Sequence, residues 1–288
     1  MTRLLILGST GLLGSTILKY FSTKTNYECF GAIRKNSDRK KLNNINNLKL
    51  HKIDFNKPND IRKAFISIKP YLIINCIGVV KQVLNKNSNS EIIRVNSFLP
   101  HYLSELANEN NKIRFIHFST DCVFSGTLGN YSENDIADAK DIYGSSKILG
   151  EVNNSNTLTL RTSIIGHELK TKYSLLNWFL SQKKSIKGYK KAIFSGLTTL
   201  EISRVLEKYI IPNKKMRGIY HLSGNPISKY DLLNIIKKTY KKKIKIMPDS
   251  KIKINRSLNS SLFQKTTGYK PTTWDQLIKA MYEFNRYN

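Results

Sequence analysis

The feature that most constrains the fold lies at the start of the chain. An apolar run at 3–7 leads straight into Gly8-Ser-Thr-Gly11-Leu-Leu-Gly14, and Leu12, Leu13, Ile17, Leu18 and Phe21 then recur at helical spacing. Glycines between a strand and a helix let the backbone turn tightly and approach a pyrophosphate. The helix N-terminus behind them offers free N–H groups and the positive end of its dipole. The plainer reading of such glycines is a turn with close helix packing. In this strand–turn–helix setting, Gly8, Thr10, Gly11, Leu12, Leu13 and Gly14 read as a dinucleotide-binding turn.

The same rhythm continues. Strands are predicted at 27–33, 48–53, 72–77, 113–118 and 158–165, and helices at 61–68, 92–108 and 143–152, with Pro100 a kink in the second of these helices. The run at 72–77 is continuously apolar, as in a strand buried on both faces. Strands alternating with helices imply right-handed βαβ units and an α/β fold, a Rossmann-type doubly wound parallel sheet. Past residue 165 the rhythm loosens, with helices at 174–180, 199–211, 228–240 (Ser228 its N-cap) and 273–284, and a strand at 218–222. This places a dinucleotide-binding domain at 1–166, to which the strand near 218–222 returns, and a smaller C-terminal substrate lobe mainly at 167–288.

Composition removes several classes. The chain has 288 residues, 40% of them apolar and 10% aromatic, which excludes wholesale disorder. It has no run of 18 apolar residues, so no membrane span is expected. The N-terminus is too short and glycine-rich for a secretion signal. Three cysteines, Cys29, Cys76 and Cys122, point to free thiols in a reducing, cytoplasmic compartment. No His, Cys and carboxylate cluster has metal-ligand spacing, so no metal is expected.

Lys and Arg total 48 against 20 Asp and Glu, a net charge of +28. Such a field attracts polyanions. The charge has no single focus, and the plainer reading is compositional drift in a chain rich in Lys, Asn and Ile. No nucleic-acid module or aromatic-interleaved basic patch accompanies it, so no specific nucleic-acid partner is expected. A phosphorylated substrate and cofactor would use the field to speed encounter.

The end of the second strand selects the cofactor. An acid there would bind ribose hydroxyls, whereas a base accommodates an extra phosphate. The sequence has Arg34-Lys35 and no acid before Asp38. Arg34 offers a planar fork to phosphate, which favours NADPH over NADH; an exposed basic loop is the plainer alternative. Asp54-Phe55, ending the third strand, would sit beside the adenine.

The middle of the chain carries the chemistry. Phe118-Ser-Thr-Asp-Cys-Val-Phe-Ser-Gly126 follows a buried strand, and Tyr143-Gly-Ser-Ser-Lys147 comes downstream. Tyr and Lys four apart share a helix face, and a nearby ammonium favours the tyrosinate. Thr120 or Ser119 can hydrogen-bond a substrate carbonyl or hydroxyl. Together these residues suit hydride reduction of a ketone, with Tyr143 giving the proton. His117, between apolar neighbours, reads as structural.

These motifs identify a resemblance. The sequence resembles the extended short-chain dehydrogenase/reductases, and among them most the dTDP-4-dehydrorhamnose reductase branch. The shared features are the glycine triplet, Asp54-Phe55, Asn75-Cys76, Asn96, the segments 118–126, 143–151 and 160–166, and Gly218-Ile-Tyr-His-Leu222. The resemblance covers essentially the whole chain, most loosely after 225. It implies NAD(P)H-dependent reduction of a 4-keto-6-deoxyhexose on a nucleoside diphosphate. It makes Thr120, Tyr143 and Lys147 the catalytic set, with Lys147 also holding the nicotinamide ribose. It places Cys76, Ile77 and Gly78 beside the cofactor, and Lys81, Asp121, Cys122, Trp178, Thr198 and Arg256 at the substrate. For Trp178 a core role is equally open, and Arg161 is an alternative to Arg256 for the diphosphate. Homodimers occur among relatives, but no interface stripe is evident here.

The chain departs from the branch at several points. Cys122 stands where the branch has Tyr, 77–82 replace a short acidic motif, and 195–199 replace G-x-P-T. The last two would line the sugar pocket and suggest a different hexulose, such as a UDP-linked 2-acetamido sugar used in surface-glycan synthesis. In the related GDP-fucose synthases a Cys and a His epimerise the sugar before reduction. Cys122 and His167 stand at similar positions and suggest a 3-epimerase/4-reductase; a small buried Cys and a surface His are the plainer alternative. A non-catalytic reading also exists, because the regulatory subunit of methionine adenosyltransferase shares the branch.

Overall fold

A computed structural model describes residues 1–43, 45, 48–109 and 113–287. The chain begins β1 (Thr2–Leu7), α1 (Leu12–Ser22), β2 (Tyr27–Ile33), β3 (Lys49–Lys52), α2 (Pro58–Ile68) and β4 (Leu72–Asn75). It continues with α3 (Asn89–Ile93), α4 (Leu99–Glu109), β5 (Arg114–Thr120), α5 (Ile142–Leu149) and β6 (Thr157–Thr162). Next come β7 (Ile164–Ile165), α6 (Leu175–Ser181), β8 (Ile186–Phe194), β9 (Leu197–Thr198), α7 (Thr199–Val205) and β10 (Gly218–His221). The last elements are β11 (Ile227–Ser228), α8 (Lys229–Thr239), β12 (Ile246–Asn255), α9 (Ser261–Thr267) and α10 (Trp274–Tyr287).

Seven strands form the main sheet in the order β10-β6-β5-β4-β1-β2-β3. The pairs β1–β2, β2–β3, β1–β4 and β4–β5 are parallel. The order reverses between β1 and β4, the switch point where doubly wound sheets bind ligands. β1 and β4 are apolar because helices cover both faces: Leu4, Leu5, Ile6, Leu7, Ile73 and Ile74 are fully buried.

By compactness the chain divides into two units. The first comprises 1–119, 141–160 and 215–219, and the second 120–140, 161–214 and 220–288. Segments 120–140 and 161–166, expected in the nucleotide-binding domain, thus fall in the second unit.

In the first unit the predicted helix at 92–108 runs through α3, a turn of π-helix at Arg94–Phe98, and α4. Pro100 has no N–H to offer the Asn96 carbonyl four residues back, and the π turn sits where that bond is lost. Gly150, just past α5, lies against this carbonyl so closely that a Cβ would overlap it.

The second unit contains elements the sequence reading lacked. β8 pairs with β11 antiparallel and with β12 in parallel. β7 and β9 form a separate parallel pair. In β8, Ile186, Ala192 and Phe194 point inward, while Lys187, Lys190 and Lys191 face out. Ser228 caps α8 as expected, its Oγ accepting from Asp231 N at 3.0 Å. Among the described residues, no helix is long and apolar enough to cross a membrane.

Gly150→Ala is expected to cost about 2 kcal/mol or more, because overlap with backbone leaves no flexible atom to yield. Urea unfolding of the variant measures it, and an unchanged midpoint would show that α5 can shift freely.

Candidate active site

The glycine turn is built as its sequence requires. Gly8 has φ +78°, a backbone state that side chains disfavour. A Cβ on Gly14 would overlap the Gly8 carbonyl. Ser9 is fully buried, and its Oγ donates to Ala32 O at 2.7 Å, tying the turn to β2. α1 starts at Leu12 with no side-chain cap and no acid in its first turn. Its N-terminal donors and dipole therefore suit an anionic group.

The loop after β4 closes on this turn at the switch point. A Cβ on Gly8 would sit 3.0 Å from Cys76 C and O and 3.1 Å from Ile77 N. Asn96 holds the loop in place, its Oδ1 accepting from Val79 N at 2.8 Å and its Nδ2 donating to Val79 O at 3.1 Å. Gly78 lies beside the same amide. Burial pushes the Cys76 thiol well up, and the Lys147 charge opposes this.

At the end of β2, Arg34 and Lys35 are exposed. Asp38, the nearest acid, is committed elsewhere: Lys35 N donates to its Oδ2 at 3.1 Å, and Lys41 pairs with its Oδ1. Asp54 accepts from Asn56 N, and Phe55 packs on the core.

α5 carries Tyr143 and Lys147 on one face. Asp141 caps the helix by accepting from Gly144 N at 3.0 Å, and Lys81 pairs with Asp141 at 2.9 Å. Tyr143 is half-buried. Lys147 is 5% exposed and donates to Phe118 O at 2.8 Å. Burial lowers it to about 8, against the opposing pull of Glu151 and Cys76. Ser119 donates to Glu151 Oε1 at 2.7 Å, which engages its hydroxyl within the first unit.

Sequence reasoning missed the surroundings of Lys147. His117 is fully buried in β5, its Nε2 3.4 Å from Lys147 Nζ and its Nδ1 3.1 Å from Asn75 Nδ2. The available signal was a histidine inside an otherwise apolar strand one step before the F-S-T-D motif.

The second unit holds the remaining candidates. Thr120 Oγ1 donates to Asp121 Oδ1 at 3.2 Å and accepts from Cys122 N at 3.1 Å. Burial raises the Asp121 carboxyl, although Arg256 opposes this. Arg256 Nε donates to Phe124 O at 2.7 Å. Burial, then the Asp121 charge, push the Cys122 thiol up to about 12. His167 Nε2 lies 2.7 Å from Tyr240 Oη. Trp178 is 37% exposed on α6, whereas Thr198 is 1% exposed and caps α7 through Glu201 N. Arg161 is buried over the Phe124 ring and 3.3 Å from His221 Nε2, a packing role. Among the described residues no group of three His, Cys or carboxylate side chains could hold a metal ion.

The shift at Lys147 has a thermodynamic signature. Unfolded, this lysine titrates near its ordinary 10.5; folded, at about 8. Between those values the unfolded chain holds the proton and the native one does not, so stability rises with pH there. Lys147→Met should therefore be more stable than the parent at pH 7, by about 3 kcal/mol at most. The gap should close as pH rises from 8 to 10.5, as denaturant titrations of both proteins would show.

The family model described as RmlD substrate binding domain matches residues 1–286. The dTDP-4-dehydrorhamnose reductase of Aggregatibacter actinomycetemcomitans is 27% identical over 304 residues, covering 97% of this chain and 98% of that one. Methionine adenosyltransferase 2 subunit beta of Bos taurus is 24% identical, over 80% of this chain and 70% of its own. A solved dTDP-4-dehydrorhamnose reductase from Clostridium acetobutylicum has a TM-score of 0.80 at 20% identity, covering 99% of this chain and 100% of that one. Another from Bacillus anthracis, in complex with NADP, has a TM-score of 0.80 at 17% identity, with the same coverage. The structural likenesses share the seven-stranded fold, and the family match extends over nearly every residue: the chain belongs to the RmlD substrate-binding-domain family, in the dTDP-4-dehydrorhamnose reductase branch of the extended short-chain dehydrogenase/reductases.

Proposed function

We propose that the protein is an NADPH-dependent reductase of the 4-keto group of a nucleoside-diphosphate 4-keto-6-deoxyhexose. The observation that carries this reading is the buried Lys147 one helical turn after Tyr143, in a chain of this family. The glycine turn suits a dinucleotide pyrophosphate, because Gly8 makes the tight turn at φ +78° and the N-terminus of α1 behind it carries neither a side-chain cap nor an acid. Arg34 and Lys35 would meet a ribose 2′-phosphate, and the engagement of Asp38 removes the nearest carboxylate that could bind a free hydroxyl. When bound, the nicotinamide supplies a hydride.

The chain's own groups manage the proton. Tyr143 Oη delivers it to the sugar's C4 oxygen as the alcohol forms. The Lys147 ammonium favours the resulting tyrosinate. Following the family's pattern, Thr120 hydrogen-bonds the same oxygen, and Lys147 also holds the nicotinamide ribose. Lys81, Asp121, Trp178, Thr198 and Arg256 stand as sugar-nucleotide contacts on that pattern alone.

Epimerisation before reduction is the finer reading. A thiol held up near 12 is a proton donor at neutral pH, so Cys122 would deliver a proton and His167 would remove one. The non-catalytic reading draws on the likeness to the methionine adenosyltransferase subunit. Retention of Thr120, Tyr143 and Lys147 favours the enzyme.

Turnover with NADPH, and slower turnover with NADH, is expected on either a dTDP-glucose-derived or a UDP-N-acetylglucosamine-derived 4-keto-6-deoxy sugar. Tyr143→Phe should lower it by a factor of about 10² or more. Tight NADPH binding without turnover of either sugar would point to a further sugar or to the regulatory reading. In deuterated water, Cys122→Ser should lose label uptake beside the ketone yet still reduce a pre-epimerised sugar; undiminished uptake would remove Cys122 from the chemistry.

A further inference from the structure

His117 takes no part in the reduction outlined above, yet its surroundings determine which of its nitrogens carries the proton. Ile77 N lies 3.1 Å from Asn75 Oδ1. A backbone N–H can only donate, so the amide oxygen must face Ile77. That orientation turns Asn75 Nδ2 toward the ring, 3.1 Å from His117 Nδ1. An amide nitrogen also only donates, so Nδ1 accepts. A neutral imidazole has one N–H, which must then be on Nε2. Nε2 lies 3.4 Å from Lys147 Nζ.

The two states of Lys147 meet this N–H differently. An ammonium has three N–H groups and no lone pair, so it sets hydrogen against hydrogen. A neutral amine donates one N–H to Phe118 O, 2.8 Å away, and offers its lone pair to Nε2–H. Asn75, His117 and Lys147 thus form a chain of donors running in one direction, which ends correctly only on an uncharged amine.

We propose that Asn75 and His117 are positioning residues that set the protonation equilibrium of Lys147: the Asn75 amide fixes the His117 tautomer, and the Nε2–H so placed stabilises the neutral lysine. Burial acts in the same direction on both groups. It lowers Lys147 to about 8, and it keeps His117 well below the usual imidazole range and therefore neutral. Glu151 and Cys76 face Lys147 and favour its charged form, with Tyr143 one turn before it. Lys147 and His101 face His117, and both oppose a second positive charge there. The relay makes a buried lysine able to lose its proton just above neutrality. Its consequence for turnover, an alkaline limit to reduction, rests on the reductase reading; the protonation itself does not.

The test uses the cofactor-free protein labelled with ¹⁵N in histidine and ¹³C at lysine Cε. In wild type the His117 ring should carry its proton on Nε2 at pH 7; a proton on Nδ1 overturns the proposal. The Lys147 signal is the one lost in Lys147→Arg. In His117→Phe, which keeps an aromatic ring beside Phe115, its titration midpoint should rise by about one unit, a tenfold change in proton affinity. An unchanged midpoint in a folded variant overturns the proposal. If His117→Phe does not fold, the wild-type tautomer alone decides. Where turnover is found, the alkaline limb of kcat should move upward with the midpoint. A shifted midpoint in a protein that reduces no 4-keto sugar would uphold the relay and defeat the reductase reading.

Discussion

Burying the Lys147 ammonium between α5 and β5 costs free energy that the surrounding fold must recover. The Phe118 carbonyl accepts a hydrogen bond from it, and the Glu151 charge draws on it from one turn further along. Glu151 is held in turn by the Ser119 hydroxyl. Asn96 donates to Ser146 Oγ, and Ser97 Oγ donates to Ser146 O, which clamps α5 to the π turn before α4. The same Asn96 amide pins Val79, so the loop after β4 and the helix bearing Tyr143 share one anchor. A buried charge and a loop beside the glycine turn are thus fixed by a single polar network.

Most of the main sheet was legible because its signals are local. The strand–glycine–helix start and the apolar run of β4 each depend on residues within one or two turns. The second unit was less legible for a physical reason. β8 and β12 are half-exposed strands whose outward faces carry lysines, and their pairing joins residues some fifty or more apart in sequence. Within each segment, Lys-rich alternation resembles a solvated loop, and only the partner strand gives it a buried side. The candidate site was legible in its residues but not in their electrostatics. Tyr143 and Lys147 follow from spacing, whereas the His117 tautomer depends on an amide 42 residues away. Thr198 shows the opposite case, a motif position whose hydroxyl is engaged in capping a helix.

The charge of +28 is distributed in keeping with this architecture. Lysines occupy the outward positions of β8 and the last turn of α8, where Lys237 and Lys238 meet the negative end of the helix dipole. Charge spread over separate elements makes the field broad, so a polyanionic ligand would feel it before contact.

The division of the chain into interleaved segments bears on how the protein is made. The second unit draws on 120–140, 161–214 and 220–288, and the first still needs 215–219. Neither can be complete when the first half of the chain has left the ribosome. β8 emerges with only short β11 soon to follow, and its parallel partner β12 is synthesised about fifty residues later. During that interval a lysine-studded strand edge is open, and its positive charges discourage pairing with other nascent chains. The outward lysines of β8 therefore protect the chain in a period before there is any site to serve.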